Sequence, residues 1–150
     1  MATIRSWKKV LENDLDYLAS ELREVVEKPA AIILSGPVGA GKTTFTKRFV
    51  KDAPIQSPTY SVINEAGEIA HADFYRIKDP QEIIHLELPL YLEDKEFFLV
   101  EWGMPFVREI ARSLDEHFSL YELEIEVNAE EEKKGQSASR NFCLKKLDKI

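Results

Sequence analysis

The glycine-rich segment at residues 36–44, GPVGAGKTT, constrains the fold more than any other part of the chain. It matches the pattern G-x-x-x-x-G-K-[ST], the Walker A phosphate loop. An apolar run at residues 30–34 precedes it, and a segment of helical character at residues 43–50 follows it. A strand, a glycine-rich loop and a helix in this order form the setting that the pattern requires. We therefore expect an α/β domain built around this unit.

The residue types in this loop suit an anionic phosphate group. Glycine at positions 36, 39 and 41 allows positive φ and lets the main chain approach a ligand closely. Successive N–H groups then form an anion-binding concavity, and the following helix adds the positive end of its dipole. Lys42 can reach the β- and γ-phosphates of a nucleotide, and the Thr43 hydroxyl can ligate Mg²⁺. The residues predicted to contact the nucleotide are Gly36, Val38, Gly39, Ala40, Gly41, Lys42, Thr43 and Thr44.

Length and composition indicate one soluble domain over residues 1–150, with 44% hydrophobic and 31% charged residues. No apolar run approaches the roughly 20 residues of a membrane span, and the N-terminus lacks the apolar core of a signal peptide. The lone Cys143 excludes an intrachain disulfide framework and fits a reducing compartment, so we expect a cytoplasmic protein without membrane contact. The net charge of −7 argues against tight unaided binding to nucleic acid.

Hydrophobic patterns predict the elements around the loop. Apolar residues at three- and four-residue steps over residues 7–25 predict an amphipathic helix. Residues 60–74 resemble a β-hairpin with its turn at Ala66 and Gly67. Asp79 and Pro80 are typical of a helix start. Residues 97–100 are consecutive apolar residues, which favours a central strand buried on both faces.

In the last third of the chain, an apolar stripe from Phe106 to Leu114 predicts a helix. Two strands are predicted after it, at residues 120–127 and 141–147. Together these elements predict a three-layer P-loop NTPase fold. Its central sheet is mainly parallel, with an antiparallel hairpin excursion at residues 60–74.

Nucleotide chemistry also needs a carboxylate that serves Mg²⁺ and orients water. Such a group usually follows a buried strand, because the carboxyl ends of parallel strands face the ligand crevice. Glu101 ends the most apolar strand, where an ion beside the core needs compensation, and this favours a functional role over a solvated one. Asp73 ends the hairpin strand, and the pattern alone leaves its role open.

Four motifs together resemble the TsaE (YjeE) family. They are GPVGAGKTTF at residues 36–45, SPTY at 57–60, HADFYR at 71–76 and LVEW at 99–102. They follow the family's order, and a weak C-terminal pattern ending in Ser139 and Arg140 also fits. Residues 86–90 and 103–105 depart from the family pattern. Members of this family are small bacterial ATPases required for threonylcarbamoyladenosine (t6A) modification of tRNA.

The resemblance implies ATP and Mg²⁺ as cofactors and assigns several roles. Asp73 would be needed for hydrolysis, and Glu101 would be a carboxylate on the metal side together with Thr43. Thr59 would lie in a switch-like loop near the γ-phosphate, and Trp102 near the nucleotide. The catalytic candidates are thus Lys42, Asp73 and Glu101. The resemblance also implies that the chain acts on the TsaB–TsaD pair, as a slow ATPase without strong tRNA binding of its own.

One alternative is a small P-loop kinase for a small-molecule or nucleotide acceptor. Arg108 and Arg112 are spaced like the arginines of a kinase lid, although their helical setting is more typical of a solvated face. The kinase interpretation gives no role to residues 57–59 or to Glu101 and Trp102. The role of His71 stays open between a core histidine and a functional one.

Overall fold

A computed structural model describes residues 2–51, 62–130 and 138–149. The strands are β1 Ala2–Val10, β2 Ala30–Ser35, β3 Ile63–Ala66, β4 Ile69–Asp73, β5 Phe97–Glu101, β6 Ser119–Val127 and β7 Arg140–Leu147. The helices are α1 Leu15–Val25, α2 Lys42–Val50, α3 Pro80–His85, α4 Leu88–Leu92 and α5 Val107–Ser113. Short 3₁₀ turns at Glu12–Asp14 and Met104–Phe106 precede α1 and α5.

All seven strands form one sheet in the order β1-β7-β6-β2-β5-β4-β3. The four strands β6, β2, β5 and β4 are parallel to one another. Antiparallel pairs complete both edges, with β3 beside β4 on one side and β7 and β1 beside β6 on the other. The fold is therefore mixed α/β with a parallel centre, and the predicted antiparallel hairpin is confirmed at residues 63–73.

Helices cover both faces of the sheet, which confirms the predicted three layers. The first core cluster joins α1 and α2 to one face, with Leu22 and Phe45 fully buried. The second cluster joins α3, α4 and α5 to the opposite face through residues such as Ile83 and Ile110. All five residues of β5 are buried, as its consecutive apolar residues predict for a strand between two helical layers.

The N-terminal prediction is wrong in part, because residues 2–10 form a strand and only residues 15–25 form the predicted helix. Strand β1 pairs with β7 and contains an irregularity between Trp7 and Val10, where Lys9 has a φ of 53°. An extra residue in a strand lets side chains three positions apart share a face. Both Trp7 and Val10 therefore point into the core. Leu11, which lies four residues after Trp7 and fits the predicted helical step, is instead 49% exposed.

The helix start at Asp79 is confirmed. The Asp79 carboxylate accepts a hydrogen bond from the Gln81 N–H, and Glu82 accepts one from the Asp79 N–H, both at 2.9 Å. Pro80 occupies the first turn of α3, where a missing N–H costs nothing. Among the residues that the structure describes, no helix has both the length and the apolar character needed to cross a membrane.

Candidate functional site

The loop between β2 and α2 adopts the backbone that its glycines allow. Gly36, Gly39 and Gly41 have φ values of 143°, 82° and 106°, which side-chain-bearing residues rarely adopt. A Cβ atom on Gly36 would lie 2.6 Å from the backbone oxygen of Ile125 on β6. The loop is therefore packed against the neighbouring strand, and glycine at position 36 is required for both conformation and space.

Lys42 begins α2 and folds back over the loop. Its Nζ donates hydrogen bonds to the backbone oxygens of Gly36 at 2.5 Å and Pro37 at 3.1 Å. The same atom lies 4.2 Å from the ring centroid of Trp102. Burial lowers the pKa of the Lys42 ammonium, although the negative charges of Glu101 and Asp73 act in the opposite direction. This cation is thus held close to two carboxylates, where it can neutralise further negative charge.

Glu101 is the buried acid of the site, with 3% of its surface exposed. Its Oε1 accepts a hydrogen bond from the Thr43 hydroxyl at 2.8 Å, and its Oε2 lies 2.7 Å from Nε2 of His71. Burial raises the pKa of Glu101, but the hydrogen bonds from His71 and Thr43 and the charge of Lys42 outweigh burial and hold the pKa below its ordinary value. Glu101 is therefore an ionised acceptor beside the phosphate loop.

Asp73 and Trp102 lie at the ends of adjacent parallel strands. Asp73 is the register partner of Glu101, is exposed, and accepts a hydrogen bond from the Tyr75 N–H at 3.0 Å. Trp102 has a φ of 61°, a strained value for a bulky residue and one often found at functional sites. Its ring lies 5.1 Å from that of Tyr75. The two aromatic rings therefore stand at the edge of the site, next to Lys42.

The donor set at this edge suits Mg²⁺. A threonine hydroxyl and an ionised carboxylate are hard oxygen donors, which Mg²⁺ prefers. Within residues 2–51, 62–130 and 138–149, no group of three or more His, Cys, Asp and Glu side chains could enclose a metal. Mg²⁺ is usually bound through one or two protein oxygens, with phosphates and waters completing its shell. Thr43 and Glu101 are the two residues that would hold it.

A cavity of about 580 Å³ adjoins the loop on the α2 side of the sheet. Thr44, Ala40 and Gly41 form one wall, and the segment after β1 together with residues of β7 forms the other. The lining residues are Val10, Leu11, Glu12, Asn13, Leu15, Ala40, Gly41, Thr44, Ala138, Arg140 and Phe142. The sequence does not predict this wall, because the apolar pattern over residues 7–25 predicts a continuous helix.

Arg140 is a further site residue whose contacts the sequence could not reveal. Its Nε donates to the Ala40 oxygen at 2.9 Å, and its Nη2 lies 3.4 Å from the Gly39 oxygen. Another hydrogen bond joins Nη1 to the Ala138 oxygen. Arg140 thus fixes the phosphate loop to β7 although the two lie 100 residues apart. The only sequence signal was the weak family pattern ending at Ser139 and Arg140.

The remaining predicted residues fall into three groups. Val38 lies at the loop tip and is 80% exposed, whereas Ala40 is fully buried. Thr59 lies outside the described residues. Arg108 and Arg112 are exposed on α5, which packs on the face opposite to α2, so they lie away from the layer that holds the phosphate loop.

Comparisons with known proteins identify the same family as the sequence motifs. The family model described as "Threonylcarbamoyl adenosine biosynthesis protein TsaE" matches residues 10–139. The tRNA threonylcarbamoyladenosine biosynthesis protein TsaE of Haemophilus influenzae is 36% identical over 85 residues, covering 51% of this chain and 54% of the relative. The protein of the same name from Rickettsia prowazekii is 35% identical over 113 residues, covering 69% of this chain and 74% of the relative.

The fold is similar to that of the crystal structure of Bacillus subtilis YdiB. That structure has a TM-score of 0.59 and 24% identity, and covers 99% of this chain and 88% of YdiB. Matches to curated relatives are partial: the chain spans 54%, 60% and 59% of the length of those from H. influenzae, Nostoc and Aquifex aeolicus. Because the family model covers most of the chain, the chain belongs to the TsaE family.

Proposed function

We propose that this chain has the P-loop NTPase fold, binds Mg²⁺–ATP at residues 36–44 and hydrolyses it slowly. We further propose that this activity supports t6A synthesis in tRNA through the TsaB–TsaD pair. The observation that carries the proposal is the convergence of Lys42, Thr43 and Glu101, with the Thr43 hydroxyl 2.8 Å from the Glu101 carboxylate. Family membership supports the same assignment.

The chemistry follows from the positions of these side chains. Thr43 and Glu101 would hold Mg²⁺, which would supply positive charge to offset the negative charge that develops on the phosphates during hydrolysis. On nucleotide binding, Lys42 exchanges the oxygens of Gly36 and Pro37 for phosphate oxygens, because an ammonium donates more strongly to an anion. Asp73, exposed at the neighbouring strand end, accepts a proton or hydrogen bond from the attacking water.

The cavity beside the loop supports binding of the rest of the nucleotide. Its volume of about 580 Å³ lies within the usual range of roughly 300–1,000 Å³ for ligand sites. Thr44 and Arg140 both line this cavity, so a nucleotide can lie with its phosphates on the loop and its adenosine in the cavity.

The partner proposal rests on the family and on charge. The net charge of −7 opposes strong direct binding to tRNA, whose affinity for proteins depends on Lys and Arg contacts with phosphate. Action on a protein partner reconciles a role in tRNA modification with weak binding to tRNA itself. We therefore propose that it docks on TsaB–TsaD and that hydrolysis resets the complex between rounds.

Asp73→Ala and Glu101→Ala test the catalytic assignment. We expect each variant to lose turnover by roughly 10²–10³-fold while nucleotide affinity falls much less, since both groups act mainly on the transition state. Phosphate release and equilibrium binding of an ATP analogue measure the two effects separately. Equal losses in both quantities would mean that the carboxylates only bind.

The pathway assignment has its own tests. Depletion of the protein from cells should lower the t6A content of tRNA, and purified TsaB–TsaD should raise its ATP turnover. A kinase would instead transfer phosphate to an added acceptor rather than release it free. If TsaB–TsaD does not change ATP turnover, and the protein binds tRNA tightly without any partner, the protein would instead be a factor that acts directly on RNA.

A further inference from the structure

His71 reaches from β4 to the acid at the end of β5. The parallel register pairs His71 with Leu99 and Asp73 with Glu101, so the His71 side chain extends diagonally towards the end of the neighbouring strand. Its Nε2 atom lies 2.7 Å from Oε2 of Glu101. The His71 side chain is 22% exposed, so it borders the site instead of filling the core.

The two oxygens of Glu101 have different partners. Oε1 accepts from Thr43 and Oε2 contacts His71. An ionised carboxylate only accepts hydrogen bonds, so His71 is the donor in this pair.

We propose that His71 is a positioning residue that holds Oε2 of Glu101 and thereby keeps Oε1 directed at Thr43 and the cation site. Without this donor, the flexible glutamate side chain is fixed at one oxygen only. Mg²⁺ demands near-ideal ligand geometry, and partners that orient a metal-binding side chain typically change affinity or activity by about 10–100-fold. The inference rests on the proposed Mg²⁺–ATP site.

Four variants separate positioning from packing. His71→Gln keeps an N–H donor near the position of Nε2, whereas His71→Met has similar length and no donor. His71→Ala removes both the donor and the volume. His85→Ala is the matched control, since His85 is exposed at the end of α3 on the opposite helical layer.

The main measurement is the affinity for a non-hydrolysable ATP analogue, in Mg²⁺ and in EDTA. We expect His71→Met and His71→Ala to weaken binding in Mg²⁺ by about tenfold while binding in EDTA changes by less than about twofold. His71→Gln should recover most of the loss, and His85→Ala should match the wild type. In a Glu101→Ala background, His71→Met should have no further effect, because the group that it positions is missing.

Four outcomes would overturn the inference. The first is a loss of equal size in Mg²⁺ and EDTA, or a lower melting temperature with unchanged Mg²⁺ dependence, since either would mean a structural role. The second is an undiminished effect of His71→Met in the Glu101→Ala background. The third is wild-type protein that does not bind the analogue more tightly in Mg²⁺, which would overturn the proposed nucleotide site as well. The fourth is a wild type that binds the analogue more tightly in Mg²⁺ and a His71→Met variant with the same affinity as the wild type. That result would overturn the positioning role alone.

Discussion

The sheet has two regions with different surroundings. The centre consists of strands β2, β4 and β5. The wing consists of β6, which is parallel to β2, and of β7 and β1, which continue the sheet in antiparallel pairs. The centre is covered by helices on both faces, and its strands end in the phosphate loop, Asp73 and Glu101. The wing packs Leu144 and its apolar neighbours against α1 and α2, while Glu124 and Lys145 are paired on the other face. The proposed site therefore lies in the centre, and Arg140 of the wing is hydrogen-bonded to its phosphate loop.

Lys42→Ala, in the centre, should greatly reduce ATP turnover and have little effect on the stability of the folded protein. We expect ATP turnover to fall by about 10³-fold, because the variant lacks the cation that neutralises the phosphates. The free energy of unfolding should change little, because the desolvation cost of Lys42, which is 6% exposed, opposes the loss of its hydrogen bonds to Gly36 and Pro37. Phosphate release and thermal unfolding measure the two effects. Lys47→Ala, at an exposed position of the same helix, is the control and should leave both unchanged.

Leu144→Ala should give the opposite result in the wing. Leu144 is fully buried against the α1 and α2 layer, so its truncation should lower the free energy of unfolding by about 2–5 kcal/mol. Nucleotide affinity at a temperature where the variant is folded should stay within about twofold of the wild type, since Leu144 does not line the cavity. Chemical denaturation and analogue binding test this. A large affinity loss in the folded variant would contradict the separation of centre and wing.

Arg140→Ala tests a side chain of the wing that is hydrogen-bonded to the phosphate loop. Without the hydrogen bonds to Gly39 and Ala40, the phosphate loop loses its attachment to β7, and we expect nucleotide affinity to fall by about tenfold. Arg140→Lys should recover little, because an ammonium cannot reproduce the planar fork of donors. Calorimetric binding of the ATP analogue distinguishes the variants. Affinity equal to the wild type in Arg140→Ala would mean that the loop holds its shape alone.

The centre was largely predictable because its signals are local. The runs at residues 30–34 and 97–100 are consecutive apolar residues, and the phosphate-loop pattern fixes what lies between the first run and α2. Glu101 was identifiable because an acid directly after a buried strand needs a partner. Its hydrogen bond to His71 was not identifiable, since it depends on the register between β4 and β5.

The wing was less predictable because its elements depend on distant pairing. The alternation in β6 and β7 predicts two strands, and both are confirmed. The pattern does not reveal strand β1, because Trp7 and Leu11 lie four residues apart, as on one face of a helix, although Leu11 is exposed in the structure. The contact of Arg140 with the phosphate loop, and the cavity beside it, follow from strand order, which periodicity does not encode.

The pair of Glu124 and Lys145 on the wing should have the smallest effect and a distinct pH dependence. The hydrogen bond and charge of Glu124 raise the pKa of Lys145 above its ordinary value across a distance of 3.3 Å. Because this pKa is higher in the folded chain, the stabilisation is complete below the unfolded lysine pKa of about 10.4 and is lost as the pH rises through the folded pKa. Glu124→Gln should therefore lower the melting temperature slightly at about pH 8, and the difference should vanish above the folded pKa. Calorimetric scans of both proteins across this range, at low and high salt, test the prediction. A difference that persists at alkaline pH would show that Glu124 stabilises the wing by packing and not by charge.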